Sequence, residues 1–316
     1  MRKRIGVGLI AAMLVLSQAV PAYGWNNRGH MMVAGVAYLK LTQHAKDRVD
    51  ALLQLNPDHN NWLALIPAGT NDQDKRMMVF MIAATWPDRI KSNLDYHDDG
   101  PSGGNRPPDD GTANNNVGYT DFARHKYWHF VDLPFSLDGT TLPPVPVPNA
   151  QTRITDFRAV LASDSPDLLK SYDLSWLLHL VGDVHQPLHC ATRVSHAKPD
   201  GDSGGNGVKL SGTPNNLHSF WDDVLGTSNS VKSAKTAAEA LAAAPAAAAN
   251  DLDVQHWVDE SFKAAKTTAY KNPPIKQGSG ASTPTVAYKK TAGGLAQKRI
   301  ALAGGRLAKI LNAELK

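Results

Sequence analysis

The chain has 316 residues, of which 42% are hydrophobic, 20% charged and 7% aromatic. That balance excludes disordered, collagen-like and disulfide-dense classes and supplies ample material for a buried core. The formal charge is +4, but three of the 33 basic residues (Arg2, Lys3, Arg4) lie in a leader expected to be removed, leaving 30 against 29 acidic side chains, so bulk charge argues for no polyanionic partner.

The leader comes first. A basic start runs into an apolar stretch, Ile5 to Val20, followed by Pro21, Ala22, Tyr23 and Gly24. Small residues stand at the −3 and −1 positions of a cut after Gly24, so residues 1–24 read as a secretory signal peptide and 25–316 as the mature domain. A membrane anchor is the competing reading, but the apolar run is short for a span. The single cysteine, Cys190, forms no internal bridge, and there is no Asn-x-Ser/Thr sequon. Together these features point to an exported protein, bacterial and either periplasmic or secreted. The expected mature form carries no membrane anchor, and no obligate protein partner is inferred.

Residues 31–55 carry apolar side chains at helical spacing, with Thr42 as an N-cap between two helices. Residues 77–86 predict a helix ending near Pro87. The Gly-, Pro-, Asn- and Asp-rich stretch 99–116 predicts a loop, and 127–133 a short strand or extended segment. Helices follow at 150–163 and 167–186, then a second polar loop at 191–216 and a short helix at 217–225. The run 234–249 is alanine-rich and interrupted by Pro245. Two last helices are expected at 252–269 and 285–314, separated by a flexible Gly/Ser/Pro stretch at 271–284. No internal repeat or linker stands out, so the expected fold is all-α: one compact multi-helix domain with long loops around a cleft.

Histidine is the informative residue type. His179 and Asp183 are four apart on an apolar helix, and His218 and Asp222 repeat that spacing in LHSFWDD. An imidazole and a carboxylate on adjacent turns can converge on a divalent cation, and N/O donors suit zinc; a buried hydrogen bond is the alternative for either pair. His30, His129 and His189 enlarge the set of candidate ligands.

At these residues the chain resembles the trinuclear-zinc single-strand-specific nucleases (nuclease S-one/P-one type), relatives of zinc-dependent phospholipase C. The similarity rests on WNNRGH at 25–30, WPDRIK at 86–91, WHFVD at 128–132, HLVGDVHQPLH at 179–189, GGN at 204–206, LHSFWD at 217–222 and AGGRLAKILN at 303–312. It spans essentially the whole mature chain.

The resemblance implies three zinc ions. Asp88, His129, His179 and Asp183 would hold one. Trp25, through its free α-amino nitrogen and carbonyl oxygen, would hold a second with His30 and a bridging Asp183. His189, His218 and Asp222 would hold the third. The cut after Gly24 makes Trp25 the first residue, as that terminal chelate requires. The implied reaction is hydrolysis of single-stranded RNA and DNA to 5′-nucleotides by a zinc-bridging hydroxide, with 3′-nucleotidase activity as a second expected reaction. Asp88, Lys91 and Asp183 are the implied catalytic residues. Lys91 stands where relatives place an arginine against the phosphate, keeping the charge without the bidentate fork, and Arg89 is the alternative for that contact.

Phe130 is the implied stacking residue for an unpaired base and Asp132 the acceptor from its edge, with Asn206 a further contact to phosphate or sugar. Core packing is the competing reading of Phe130. His44, His59, His97, His125, His196 and His256 match no ligand position and are expected to be surface or core residues, and His185 a structural one. The rival function is a phospholipase C, which shares the three-zinc core. A closed zinc-binding export protein is a second rival, disfavoured because nine ligands leave positions for water.

Overall fold

In the computed structural model, residues 24–243, 247–270 and 280–315 are described; residues 1–23 of the expected signal peptide, Pro245 and most of the expected flexible stretch at 271–284 lie outside them. The described residues are mostly helical. They form α1 (Asn27–Tyr38), α2 (Gln43–Leu53), α3 (His59–Leu63), α4 (Asp72–Ala83), α5 (Trp86–Ile90), the single turn α6 (Pro101–Gly104), α7 (Ala150–Ala162), α8 (Asp167–Asp183), α9 (Leu217–Asp222), α10 (Val231–Ala242), α11 (Val254–Ala264) and α12 (Val286–Glu314). Two three-residue strands, β1 (Pro134–Ser136) and β2 (Thr192–Val194), pair in parallel. The expected all-α domain is therefore present.

The caps explain several boundaries. Thr42 accepts from the Ala45 N–H and starts α2, as expected. Asn71 caps α4 by accepting from Asp74 N–H, so that helix begins five residues before the apolar run that announced it. Pro87 does not end a helix; it sits in the first turn of α5, where its missing N–H costs nothing. The short strand or extended segment expected at 127–133 begins later, with Phe130 in extended backbone. Lys126–His129 is a 3-10 turn and pairing starts only at Pro134.

α8 is buried along almost its whole length and packs on α7, α2, α1 and α12. α1 lies against α4, α10 and α12. Its crossing with α12 needs Gly304, where an added Cβ would stand 2.6 Å from the Val36 Cβ. All seven tryptophans are fully buried. Trp86, Trp128 and Trp176 pack edge to face, and the Trp176 ring lies 5.4 Å from that of His129. This rigid aromatic wall stands behind the histidine pocket. A smaller apolar cluster around Phe135, Leu188, Trp221, Tyr270 and Tyr288 supports α9 from the other side.

Candidate metal centre

Six segments converge on one pocket. α1 supplies His30, α5 Asp88 and α8 both His179 and Asp183. The turn Lys126–His129 supplies His129, the 3-10 turn Pro187–Cys190 supplies His189, and α9 supplies His218 and Asp222. The β1–β2 pair draws the two irregular segments together: Val131 N–H donates to the His189 carbonyl at 2.7 Å, and His189 Nδ1 lies 2.6 Å from the His129 carbonyl. His30 reaches α8 over Gly182, where a Cβ would come within 2.9 Å of its Nδ1.

Asp183 is the hub. Its Oδ2 lies 3.1 Å from both His129 Nδ1 and His179 Nε2, and its Oδ1 lies 3.4 Å from His30 Nε2 and 3.6 Å from His189 Nδ1. Asp88 Oδ1 stands 3.6 Å from His179 Nε2, and its Oδ2 3.9 Å from His30 Nε2. A second focus forms beside it, with His218 Nε2 3.2 Å from His189 Nε2 and 3.6 Å from Asp222 Oδ2. Donor atoms of His30, Asp88 and His179, of His129, His179 and Asp183, and of His189, His218 and Asp222 each fall within 4.8 Å of one another. Trp25 is buried at the start of α1, and its neighbour Gly24 lies against the hub: a Cβ there would fall 1.8 Å from Asp183 Oδ1 and 3.0 Å from His30 Nε2. Eight of the nine expected ligand residues are thus brought together, with Trp25 beside them through Gly24.

The hydrogen bonds show that these atoms fit a cation. His179, His189 and His218 each direct Nδ1 at a backbone carbonyl, of Ala84, His129 and Gly204 respectively. Donation from Nδ1 leaves the Nε2 lone pairs of His189 and His218 facing each other at 3.2 Å, a contact that a bound metal ion turns from repulsive to favourable. Both nitrogens of His30 and Asp183 Oδ1 are buried without a hydrogen bond among the described residues. Such orphans are rare in a folded protein and need a partner. Burial and the neighbouring imidazole of His179 hold the His30 ring well below the ordinary histidine range, and burial with the nearby Lys91 ammonium pulls His129 down to about 3. Both rings are therefore neutral at pH 7, the form in which imidazole binds metal. Burial pushes the Asp222 carboxyl well up, a cost that a cation offsets.

A family-wide profile of the S1/P1 Nuclease family matches residues 25–316. The chain belongs to that family. The match covers essentially the whole chain, and it makes this protein a nuclease acting on nucleic acids, with buried His/Asp groups able to hold metal. No individual curated protein matches it at a significant level. The family assignment favours a nuclease over the phospholipase C alternative. No helix among the described residues is long and apolar enough to cross a membrane.

Other expected residues of this nuclease are placed as follows. Lys91 is buried, and its Nζ donates to Asp88 Oδ1 at 2.7 Å, so its ammonium enters the pocket. Arg89 points outward, its Nε donating to Thr85 Oγ1. Phe130 is half-buried and belongs to neither apolar cluster. Asp132 makes no hydrogen bond among the described residues, and burial and the nearby Asp202 carboxylate push it up to about 7. Asn206 donates its amide to the Ser203 carbonyl, within the loop whose Gly204 orients His218.

His185 turns away from the pocket, between the Val181 carbonyl and the Arg306 guanidinium, and Cys190 is a buried free thiol. His125 is a core residue, as expected. It is buried between Asp99 (2.6 Å) and Asp121 (2.9 Å) and stacked on Trp128, which braces the turn carrying His129.

Sequence reasoning passed over Gln186. Its amide donates to Asp222 Oδ1 at 2.7 Å and its carbonyl accepts from Leu188 N–H, aiming Asp222 at the second focus. The glutamine sits inside HLVGDVHQPLH, so its neighbours were the available signal.

Proposed function

We propose that the protein is an exported, zinc-dependent endonuclease that hydrolyses single-stranded RNA and DNA to 5′-nucleotides, with 3′-nucleotidase activity at the same centre. The observation that carries this reading is the convergence of eight candidate imidazole and carboxylate ligand residues on one buried pocket, beside Trp25, with both His30 nitrogens, His129 Nε2 and Asp183 Oδ1 lacking a hydrogen bond among the described residues. The donor set is nitrogen and oxygen, which suits zinc. Asp88, His129, His179 and Asp183 would hold one ion, Trp25, His30 and Asp183 a second, and His189, His218 and Asp222 a third. Bound there, the metals would supply Lewis acidity, lowering the pKa of a water and neutralising charge on the phosphoryl and leaving oxygens.

The chain's own residues do the rest. Asp183 ties the imidazoles of α1, α8 and the His129 turn into one array. Lys91 places an ammonium where negative charge on phosphate grows, at the edge of Asp88. Phe130 offers a ring face to an unpaired base, and Asp132 a carboxylate to its edge; a base in a duplex is covered on both faces, which gives the single-strand preference. Export is supported by the leader's composition and by a family match that begins at Trp25, the residue after the expected cut.

The deciding assay sets single-stranded RNA and DNA beside a phosphatidylcholine emulsion. Turnover of nucleic acid that stops on exhaustive chelation and returns with zinc is expected. Turnover of lipid alone, or activity that survives chelation, overturns the reading.

Two further results are expected. Because Asp132 gains its charge only near pH 7, the KM for a dinucleotide falls as pH rises through about 7. Asp132→Asn flattens that dependence, whereas an inflection that persists in the variant assigns it to another group. The second concerns the leader. Gly24 occupies the space beside Asp183 and His30 that the terminal amine of Trp25 would need. Protein beginning at Trp25 is therefore expected to bind about one more zinc than protein retaining Gly24, read by elemental analysis. Equal metal content in the two forms removes the terminal chelate from the account.

A further inference from the structure

A cleft of about 410 Å³ adjoins the metal pocket and shares Asp88 and Asp222 with it as walls. It runs between the start of α1, α5, α9 and the segment after α9. Neither Phe130 nor Asp132 lines it, so it is separate from the segment 130–132. Its volume falls in the range of small-ligand sites, about 300–1,000 Å³. The walls are braced: Asn27 Nδ2 donates to Asn229 Oδ1 at 3.1 Å, and Asn26 Nδ2 to Asp223 Oδ1 at 2.8 Å.

Among the described residues, the lining is entirely hydrogen-bonding, with no aromatic or aliphatic side chain, and Arg89 is its one cation. Thr85 Oγ1 holds the Arg89 Nε at 3.0 Å, which fixes the direction of the guanidinium. That guanidinium makes no ion pair among the described residues, although Asp88 is its neighbour in sequence. Asp88 and Asp222 belong to the candidate ligand sets and Asp223, while keeping its charge, is held by the Asn26 amide, so Arg89 is the lining group able to pair with an anion in the cleft.

A phosphodiester centred on the metal pocket carries a nucleotide on each side, and only one of them can stack on Phe130. We infer that this cleft receives the sugar-phosphate of the nucleotide on the other side, that Arg89 pairs with the phosphate flanking the scissile one, and that the base there goes unread. This rests on the nuclease reading above. The guanidinium fork matches phosphate oxygens, and without an aromatic platform there is nothing for that base to stack on.

The test uses the zinc-loaded enzyme and tetranucleotides whose central linkage alone is a normal phosphodiester. Each flanking linkage is in turn a charged phosphorothioate or a neutral methylphosphonate. In the wild type, neutralising the flank on one side raises KM on the order of tenfold with kcat held. In Arg89→Gln the same change moves KM less than about twofold, and Arg89→Lys keeps part of the response. The slope of log(kcat/KM) against log[salt] becomes shallower by about 0.7, one single-strand phosphate contact. Exchanging thymine for adenine in the cleft-side nucleotide leaves kcat/KM within about threefold, since no stacking contact is gained or lost. Equal responses of wild type and Arg89→Gln on both sides, an effect on kcat alone, or strong base selection on the cleft side overturns the inference. A wild type that cleaves none of the substrates overturns the nuclease reading instead, and the inference falls with it.

Discussion

Asp183→Asn is expected to abolish turnover while the fold survives. The carboxylate is fully buried and lies within 3.6 Å of four imidazoles drawn from α1, α8 and two irregular segments. An amide keeps the shape but replaces one oxygen by a donor and removes the negative charge that bound cations would need. Loss of several kcal/mol of transition-state stabilisation corresponds to a fall in kcat on the order of 10³-fold or more. Elemental analysis is expected to show metal missing from the Asp183 focus, with His189, His218 and Asp222 retaining theirs. Near-normal turnover by the variant, or unchanged metal content, removes Asp183 from its place as the hub.

Arg306→Met is expected to give the largest loss of stability among single changes outside the pocket. The guanidinium is fully buried on α12. It pairs bidentately with Glu260 at 2.8 Å on both oxygens, lies 2.8 Å from His185 Nε2 and covers the face of Trp257. Arg299 shares Glu260 and donates to the His185 carbonyl. This network clamps the turn that follows Asp183, where Gln186 and His189 sit. Burial and the two guanidinium charges keep the His185 ring well below the usual histidine range, so it accepts from Arg306 rather than repelling it.

Methionine fills much of the volume but leaves His185 Nε2 without its donor and Glu260 with one arginine. Breaking a buried pair costs about 3–5 kcal/mol; because Glu260 is 35% exposed, the lower end applies here. At roughly 2–4 °C per kcal/mol for a domain of this size, the melting temperature falls by roughly 6–12 °C. A change within about 2 °C places the clamp elsewhere.

Much of the site was legible in the chain before any coordinates, because metal chemistry restricts the residue types and helical geometry restricts their spacing. His179 with Asp183, and His218 with Asp222, declare themselves by a four-residue interval, and the packed motif HLVGDVHQPLH adds His189. The helices were legible wherever an apolar stripe coincided with a cap, as at Thr42. Positions failed where a local signal was read without its context. Pro87 reads as a stop but opens α5, and the extended segment beginning near residue 127 starts as a 3-10 turn whose pairing partner, β2, lies far along the chain.

What the amino-acid order determines alone is the inventory: a basic and then apolar start with the pattern of a leader, an all-helical core, and two His/Asp pairs of ligand character, since these depend on composition and on spacing within one element. The tertiary fold alone decides that His30, Asp88 and His129 meet those pairs, that Lys91 rather than Arg89 faces the pocket, and that Gln186, Arg299 and Arg306 hold the centre in place. Those contacts join residues up to 153 positions apart, as His30 and Asp183 are, and no local periodicity encodes which buried donor finds which acceptor until the helices have packed.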